Sequence, residues 1–509
     1  MKPRQIAYII WTVIALLGVV CWLVPDGGWH IGKWNLRFPT LAQALDLEKT
    51  TSSSPIDSTW FAQADTMSAT PSDSPLSTDT LVKKDSIAKS PQPVIPTVDV
   101  ANTDTRAYLA AFYAALDSAS TMPVRIVHYG DSQIEEDRIT NILREQWQKA
   151  YGGGGVGLIP LHQTIPTRTI RQWLSINDVA QTAQGGPKRH LVYGPRSMRL
   201  AEGDDYGVMG QVAVMDSTLV AGSEDIVLHI EPIDKKRHPH NYFNCVRVLT
   251  DSVSGYILAQ DTTLYLQPHP LSNEVISSEA ISSPSGDLQA KSADLQQSDL
   301  PSLITLPDST TQCELHLHGK GHVYAVSLET PTGVMVDNIP MRGCSGNIFT
   351  RIDSVQLRDF YRYTNTRLII LQFGGNMIPQ TENPSTISGY VRSTLRQQVR
   401  YIRACAPQAS ILFIGPSDMS TRIDGEMTTY PLVPYMDRLL RKMAAEEQIA
   451  YWSMYDAMGG KDSMVRWVEN GLAGSDYVHF TRSGANNIGK KLYNWLMSYS
   501  TSDRSQSSL

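Results

Sequence analysis

The sequence predicts an α/β protein: a parallel sheet covered by helices on both faces, interrupted by an inserted antiparallel β-sandwich and preceded by one N-terminal transmembrane helix. Three observations predict it. Continuous apolar runs bounded by Gly or polar residues alternate with amphipathic stretches around residues 105–190 and again over 333–500. Between them, residues 191–332 carry short, alternating, β-branched segments separated by turn residues. At the start, Lys2 and Arg4 precede an uncharged run of 19 residues, Ile6–Val24.

That run is about as long as a helix needs to cross a hydrocarbon core of ~30 Å. Its positive flank is N-terminal, so residues 1–25 are expected to form an anchor with the rest of the chain outside the cytoplasm. A cleaved signal peptide is the rival reading. No small-x-small site follows the run, and Trp22, Trp29 and Trp34 suit a membrane interface, which favours an uncleaved anchor. Cys21 lacks the small residue before it that a lipoprotein signal requires. Residues 26–104 are expected to be a tether. Their part from Thr51 to Val98 is dominated by Ser, Thr, Pro and Asp and holds too few large apolar residues to offset the entropy of ordering. As a coil of about 75 residues the tether would span on the order of 45–50 Å.

Ordered sequence opens with TRAYLAAFYAALDSA at helical spacing, then the β-rich run VRIVHY, Gly130-Asp131-Ser132, and a helix with Ile139, Ile142, Leu143 and Trp147 on one face. The cluster YGGGGVG ends that helix. Within 191–332, the Ser-rich stretch 272–302 reads as a long loop. GVMVDNI, LIILQFGG and SILFIGPSD then read as buried parallel strands, YVRSTLRQQVRYIRACA and YMDRLLRKMAAEEQ as covering helices, and GKKLYNWLMSYS as the last helix. Residues 501–509 are expected to be a disordered tail. Composition is that of an ordinary globular protein, and a net charge of −6 without a long basic run gives no sign of a nucleic-acid partner. The 12 His include no HExxH pair, and no CxxC pairs occur, so neither a metal nor another cofactor is expected. Outside the apolar run lie Cys245, Cys313, Cys344 and Cys405. Cys245 and Cys313 share one β-rich region and either pair or are two unrelated buried thiols.

Acyl transfer through a serine needs a nucleophile, a base, a group that orients the base, and donors for the oxyanion. Ser132 ends a strand after a glycine that permits a sharp turn, and the helix that follows would direct its positive N-terminus at the site. Gly-Asp-Ser is also an ordinary turn and helix cap. Asp476 and His479 lie three residues apart near the C-terminus, a spacing that lets the carboxylate hold the imidazole tautomer whose Nε2 accepts a proton. Asn376, in Gly374-Gly375-Asn376 after LIILQF, can offer an amide at a strand end. His128 reads as a strand residue and Asp418 as a strand-end residue without an assigned role.

The order of these pieces resembles the SGNH/GDSL hydrolase superfamily, whose fold is a flavodoxin-like α/β/α sandwich. The resemblance covers about 124–150 and 333–499. It implies Ser132, Asp476 and His479 as catalytic triad, and an oxyanion hole formed by the backbone N–H groups of Ser132 and Gly343 with the Asn376 side chain. Gly343 is assigned from Val336-Asp337-Asn338-Ile339-Pro340-Met341-Arg342-Gly343, with Gly346 as the fallback. HYGDSQIEEDRIT followed by YGGGGVGLIP is similar to a narrower group, bacterial envelope proteins in which a β-sandwich like a carbohydrate-binding module follows the first block. Peptidoglycan O-acetylesterases belong to that group, and relatives act beside membrane-bound O-acyltransferases. Arg342-Gly343-Cys344 departs from the more usual Asn-Gly-Ala.

The resemblance implies an esterase that removes O-acetyl groups from an envelope polysaccharide, peptidoglycan or exopolysaccharide. It would be held at the membrane by its N-terminal helix, facing the periplasm if the cell is Gram-negative. Two alternatives remain open: an O-acetyltransferase working with a membrane-bound O-acyltransferase, and a non-catalytic glycan-binding scaffold.

Overall fold

A computed structural model describes residues 104–176, 186–200, 205–215, 225–233, 238–266 and 303–500, with the backbone of 29–31, 34–36 and 179–180. The expected anchor (1–25), nearly all of the tether (26–104), the Ser-rich stretch (272–302) and the tail (501–509) lie outside the described residues. Among the described residues no helix is long and apolar enough to cross a membrane. The chain divides into Met1–Trp60 and Phe61–Leu509. In the first unit, Trp29–Ile31 and Trp34–Leu36 pair as an antiparallel ribbon.

The second unit begins with α1 (Thr105–Leu116), β1 (Pro123–Gly130) and α2 (Thr140–Tyr151). Antiparallel strands follow: β2 (Gly157–Ile159), β3 (Ile170–Ile176), β4 (Val179–Ala180), β5 (Lys188–Leu191), β6 (Gln211–Met215) and β7 (Ile226–Pro232). They continue through β8 (Phe243–Thr250), β9 (Ser254–Ala259), β10 (Thr262–Tyr265), β11 (Leu303–Thr310), β12 (Cys313–His318) and β13 (Gly321–Glu329). Next come β14 (Gly333–Pro340), α3 (Ser354–Tyr363), β15 (Thr366–Gln372), α4 (Arg396–Cys405) and β16 (Ser410–Ile414). A small ribbon of β17 (Ser420–Ile423) and β18 (Glu426–Thr429) precedes α5 (Val433–Glu446), β19 (Ala450–Trp452) and α6 (Arg482–Ser498).

The parallel sheet runs β14-β1-β15-β16-β19. Because side chains alternate across a strand, each of its strands feeds two cores. Val124, Ile126, Leu368 and Ile370 pack with α1, α2 and α6, whereas Val127, Tyr129, Ile369 and Leu371 pack with α3, α4 and α5. Burial on both faces explains why these strands read as unbroken apolar runs. The strand order is the doubly wound 2-1-3-4-5 type, in which the crevice for a ligand opens at the carboxyl ends between the first and third strands. Here those are β1 and β15.

Two antiparallel sheets share a third core. One runs β11-β8-β13-β6-β5, with β2 also on β13, and the other runs β10-β9-β12-β7-β3-β4. Val246, Val248, Val326 and Leu328 from the first meet Leu228, Ile230, Ile257 and Leu315 from the second. These strands begin at Gly157, ahead of the expected residue 191, with β2 pairing to β13 and β3 to β7. The glycine run causes this early departure. Gly152, Gly153, Gly155 and Gly157 all have positive φ, and a Cβ on Gly155 would collide with the Leu328 carbonyl.

One further expectation changes. The last helix starts at Arg482, capped by the Thr481 hydroxyl, which accepts from Gly484 N at 3.3 Å. Gly484 and Gly489 obscured that start in sequence, yet both are needed for close packing, against Leu472 and Ile142 respectively. The described cysteines Cys245, Cys313, Cys344 and Cys405 are all buried and none of them is disulfide-bonded, with Cys245 and Cys313 on different sheets, which is the second of the two readings above.

Candidate active site

Ser132 lies two residues past the C-terminal end of β1 at Gly130. Asp131 N donates to the Gln372 carbonyl at 3.3 Å, holding the turn to the end of β15. The Asp131 carboxylate accepts from Gln133 N at 3.0 Å and shapes the first turn. No long helix starts here, contrary to expectation. Ser132–Asp137 is a short 3₁₀ turn, broken where Glu135 is extended (ψ 160°) and Glu136 is left-handed (φ 59°), and α2 begins only at Thr140. The macrodipole of a full helix therefore does not point from Ser132.

Asp476 and His479 sit in a closed loop between Ala473 and Phe480. Gly474 N donates to the His479 carbonyl at 2.8 Å and Tyr477 N to the Gly474 carbonyl at 3.0 Å. Tyr477 is held at φ +56°, a conformation disfavoured for a bulky residue and retained where neighbours enforce it. One Asp476 oxygen accepts from the backbone N–H of Val478 and of His479, each at 3.0 Å. The other lies 2.7 Å from His479 Nδ1. His479 Nε2 is 2.8 Å from Ser132 Oγ. Burial would raise the Asp476 carboxyl, but the hydrogen bonds from the His479 side chain and the two N–H groups outweigh it and hold it at about 2. An ionised Asp476 makes Nδ1 the protonated nitrogen, leaving Nε2 to accept from Ser132.

The structure thus brings Ser132, His479 and Asp476 into one chain of contacts. Ser132 and Asn376 both line a small cleft, with Asp131, Gln133, Gln372, Phe373, Gly415, Ser417, Met419 and Val478 among its other walls. Asn376 follows Gly374, whose φ of +114° turns the chain at the end of β15. Its Nδ2 donates to the Cys344 carbonyl at 3.0 Å and to Asp131 at 3.3 Å. Gly343 is not part of the cleft wall. It sits at the corner of a turn that begins beside Ser132, where Met341 N donates to the Gly130 carbonyl at 2.7 Å. The fallback Gly346 packs under the Phe373 ring, and its N–H faces Cys344 Sγ at 3.3 Å.

Gln133 is a wall residue that sequence reasoning missed. Its Nε2 donates to the Val478 carbonyl at 2.6 Å and to Ser417 Oγ at 3.2 Å, joining the serine turn to the His479 loop. Its position beside Ser132 was the available signal. Asp418 is fully buried and accepts from Met464 N at 2.8 Å and Ser463 Oγ at 3.3 Å, so it holds the start of a short helix and does not reach the cleft. His128 is buried in β1, where Nε2 faces Gln372 at 3.1 Å and Nδ1 faces Thr140 Oγ1 at 2.9 Å. Burial pushes it down to about 4 despite the Gln372 contact, so it is neutral and behaves as a strand residue.

Residues 308–486 match the model of the GDSL-like lipase/acylhydrolase family. That span includes Gly343, Asn376, Asp476 and His479, and Ser132 precedes it. No curated protein matches the chain in sequence. Among solved structures, this chain is similar to a peptidoglycan O-acetylesterase at 18% identity, over 78% of this chain and 96% of the other, with a TM-score of 0.54. An acetyl xylan esterase aligns at 12% identity over 32% of this chain and 81% of its own, with a TM-score of 0.25. The periplasmic domain of a lipopolysaccharide acetyltransferase from Salmonella ser. Paratyphi A aligns at 14% identity over 32% and 71%, with a TM-score of 0.22. The first of these shows a shared fold of a parallel α/β sheet with added antiparallel sheets.

Proposed function

We propose that this protein is a GDSL-like serine esterase that removes O-acetyl groups from a cell-envelope polysaccharide through an acyl-enzyme on Ser132. The observation that carries the reading is the relay from Asp476 to His479 to Ser132, with contacts of 2.7 and 2.8 Å, at the carboxyl edge between β1 and β15. In the first half-reaction His479 Nε2 takes the Ser132 proton as Oγ attacks the acetyl carbonyl, and the same proton then passes to the departing sugar oxygen. In the second, His479 takes a proton from water, water oxygen attacks the acetyl carbon, and acetate leaves as the proton returns to Ser132 Oγ. Asp476 orients the imidazole and stabilises its charged form.

The oxyanion would receive the N–H groups of Ser132 and Gly343 and the Asn376 amide. The Asn376 contact to Asp131, at 3.3 Å the longer of its two, is the one an oxyanion would replace. The narrow cleft favours a short acyl group. The apolar run Ile6–Val24 supports a site held outside the cytoplasm near a polymer too large to enter the cell.

The test incubates purified protein with an aryl acetate, with and without an acceptor envelope glycan bearing free hydroxyls, and measures both released acetate and acetylated sugar. Turnover by the wild type and its loss in Ser132→Ala, by at least about 10³-fold, is the expected result. Unchanged turnover in Ser132→Ala would overturn the reading. Acetate release that falls as acetylated sugar accumulates would identify the transferase instead.

A further inference from the structure

Gly343 presents its N–H from a turn whose geometry has an alternative. Cys344 N donates to the Met341 carbonyl at 3.0 Å, closing a four-residue turn with Arg342 and Gly343 at its corners. Gly343 has φ +71°, and Arg342 is not among the positive-φ residues, which makes this a type II turn. Type I and type II turns differ by turning over the central peptide. In this turn the central peptide is the one that carries Gly343 N–H, so the flip would reverse that donor. A Cβ on Gly343 would meet nothing within 4 Å, so the glycine serves the turn conformation and not a close approach.

The residue before that glycine is anchored to the serine turn. Arg342 Nε donates to one Glu135 oxygen at 2.7 Å and Nη2 to the other at 2.6 Å, a two-pronged contact that fixes direction as well as distance. The two partners differ in exposure: the Arg342 side chain is 61% exposed and that of Glu135 only 5%. Glu135 lies three residues after Ser132 and breaks the 3₁₀ turn that Ser132 opens. The fork therefore joins the two backbone segments that carry Ser132 N–H and Gly343 N–H.

We propose that Arg342 and Glu135 are positioning residues, whose fork keeps the 341–344 turn in its type II form and so holds Gly343 N–H in place for the oxyanion. The inference rests on the roles proposed above for Ser132 and Gly343. It goes beyond them by giving the exposed arginine beside the glycine a function. Neither side chain needs to touch substrate, so the effect falls on the transition state and leaves ground-state binding unchanged.

The experiment uses the full chain and 4-nitrophenyl acetate, with kcat and KM determined separately. Glu135→Gln, Arg342→Lys and Arg342→Ala are each expected to lower kcat by about 10- to 100-fold, with KM within about twofold of wild type. A structural role alone would lower the melting temperature without that split. Glu135→Gln combined with Arg342→Ala is expected to be no slower than the slower single variant, because both remove one device. Wild-type kcat in a folded Glu135→Gln protein overturns the proposal, as does multiplication of the two losses in the double variant. Should Glu135→Gln fail to fold, Arg342→Lys, which keeps the charge at an exposed position but loses the fork, decides in the same way. Ser132→Ala separates the levels. If it is inactive while the fork variants match wild type, only the positioning role falls, and if it is active, both readings fall.

Discussion

At Asp476, burial and hydrogen bonding pull in opposite directions, and hydrogen bonding wins, holding the carboxyl at about 2. A carboxyl depressed in the folded state contributes stability above its ordinary value of ~4, and that contribution is lost as pH falls toward 2. Asp476→Asn keeps the shape but allows the wrong imidazole tautomer, and it should cut kcat by on the order of 10²–10⁴ with a small change in KM. His128 has the reverse consequence for its charge. Its folded value of about 4 lies below the ordinary ~6.5, so acidification through that window favours the unfolded chain. Asp131, pushed up to about 6 by burial, opposes this trend over part of the window. The clean measurement is therefore a difference. The stability deficit of His128→Asn relative to wild type, from denaturant unfolding, should narrow by about 2 kcal/mol between pH 7 and pH 5.

Among elements, α6 shows how a helix governs a site it does not enter. Thr481 N donates to the Leu472 carbonyl at 3.0 Å while its hydroxyl caps the helix, so the loop bearing Asp476 and His479 is clamped at its exit. A side chain on Gly484 would run into that same Leu472 carbonyl. Gly484→Ala should therefore destabilise the fold by about 1–3 kcal/mol and lower kcat, checked by denaturant unfolding beside steady-state kinetics. The apolar repeat of the helix becomes regular only beyond Gly489, since Gly484, Asn486, Asn487 and Gly489 interrupt helix-forming sequence before it. The strands of the parallel sheet were readable because they are buried on both faces. The early antiparallel strand β3, IRQWLSI, was not, because its pairing with β7 is decided by residues about 55 positions away.

Across the whole second unit, a buried ionic cluster links the parallel and antiparallel sheets. Arg125 on β1 meets Asp337 on β14 at 2.8 Å and Glu329 on β13 at 2.5 Å, and Arg247 on β8 meets Glu329 at 3.2 Å. Asp337 also accepts from Leu158 N on β2 at 2.8 Å. Arg125, Glu329 and Asp337 are all buried, so the charges are tolerable only as a set. Arg125→Met should cost about 3–5 kcal/mol by stranding the Asp337 carboxylate and leaving Glu329 with Arg247 alone, measured by chemical denaturation. The same unit contains the switch point between β1 and β15, which places residues 245 to 347 positions apart around one cleft.

The sequence by itself determined the α/β class, the order of the pieces and the identity of Ser132, Asn376, Asp476 and His479 as residues worth joining. Each lies in a local pattern that chemistry constrains: a glycine turn after an apolar strand, or an Asp and a His close enough to share a proton. Only the tertiary structure decided that Ser132 opens a broken 3₁₀ turn, that Gln133 bridges to the histidine loop, and that Arg342 reaches Glu135. Those contacts join segments far apart in the chain, and their geometry follows from strand register and buried charge pairing, which no local pattern encodes.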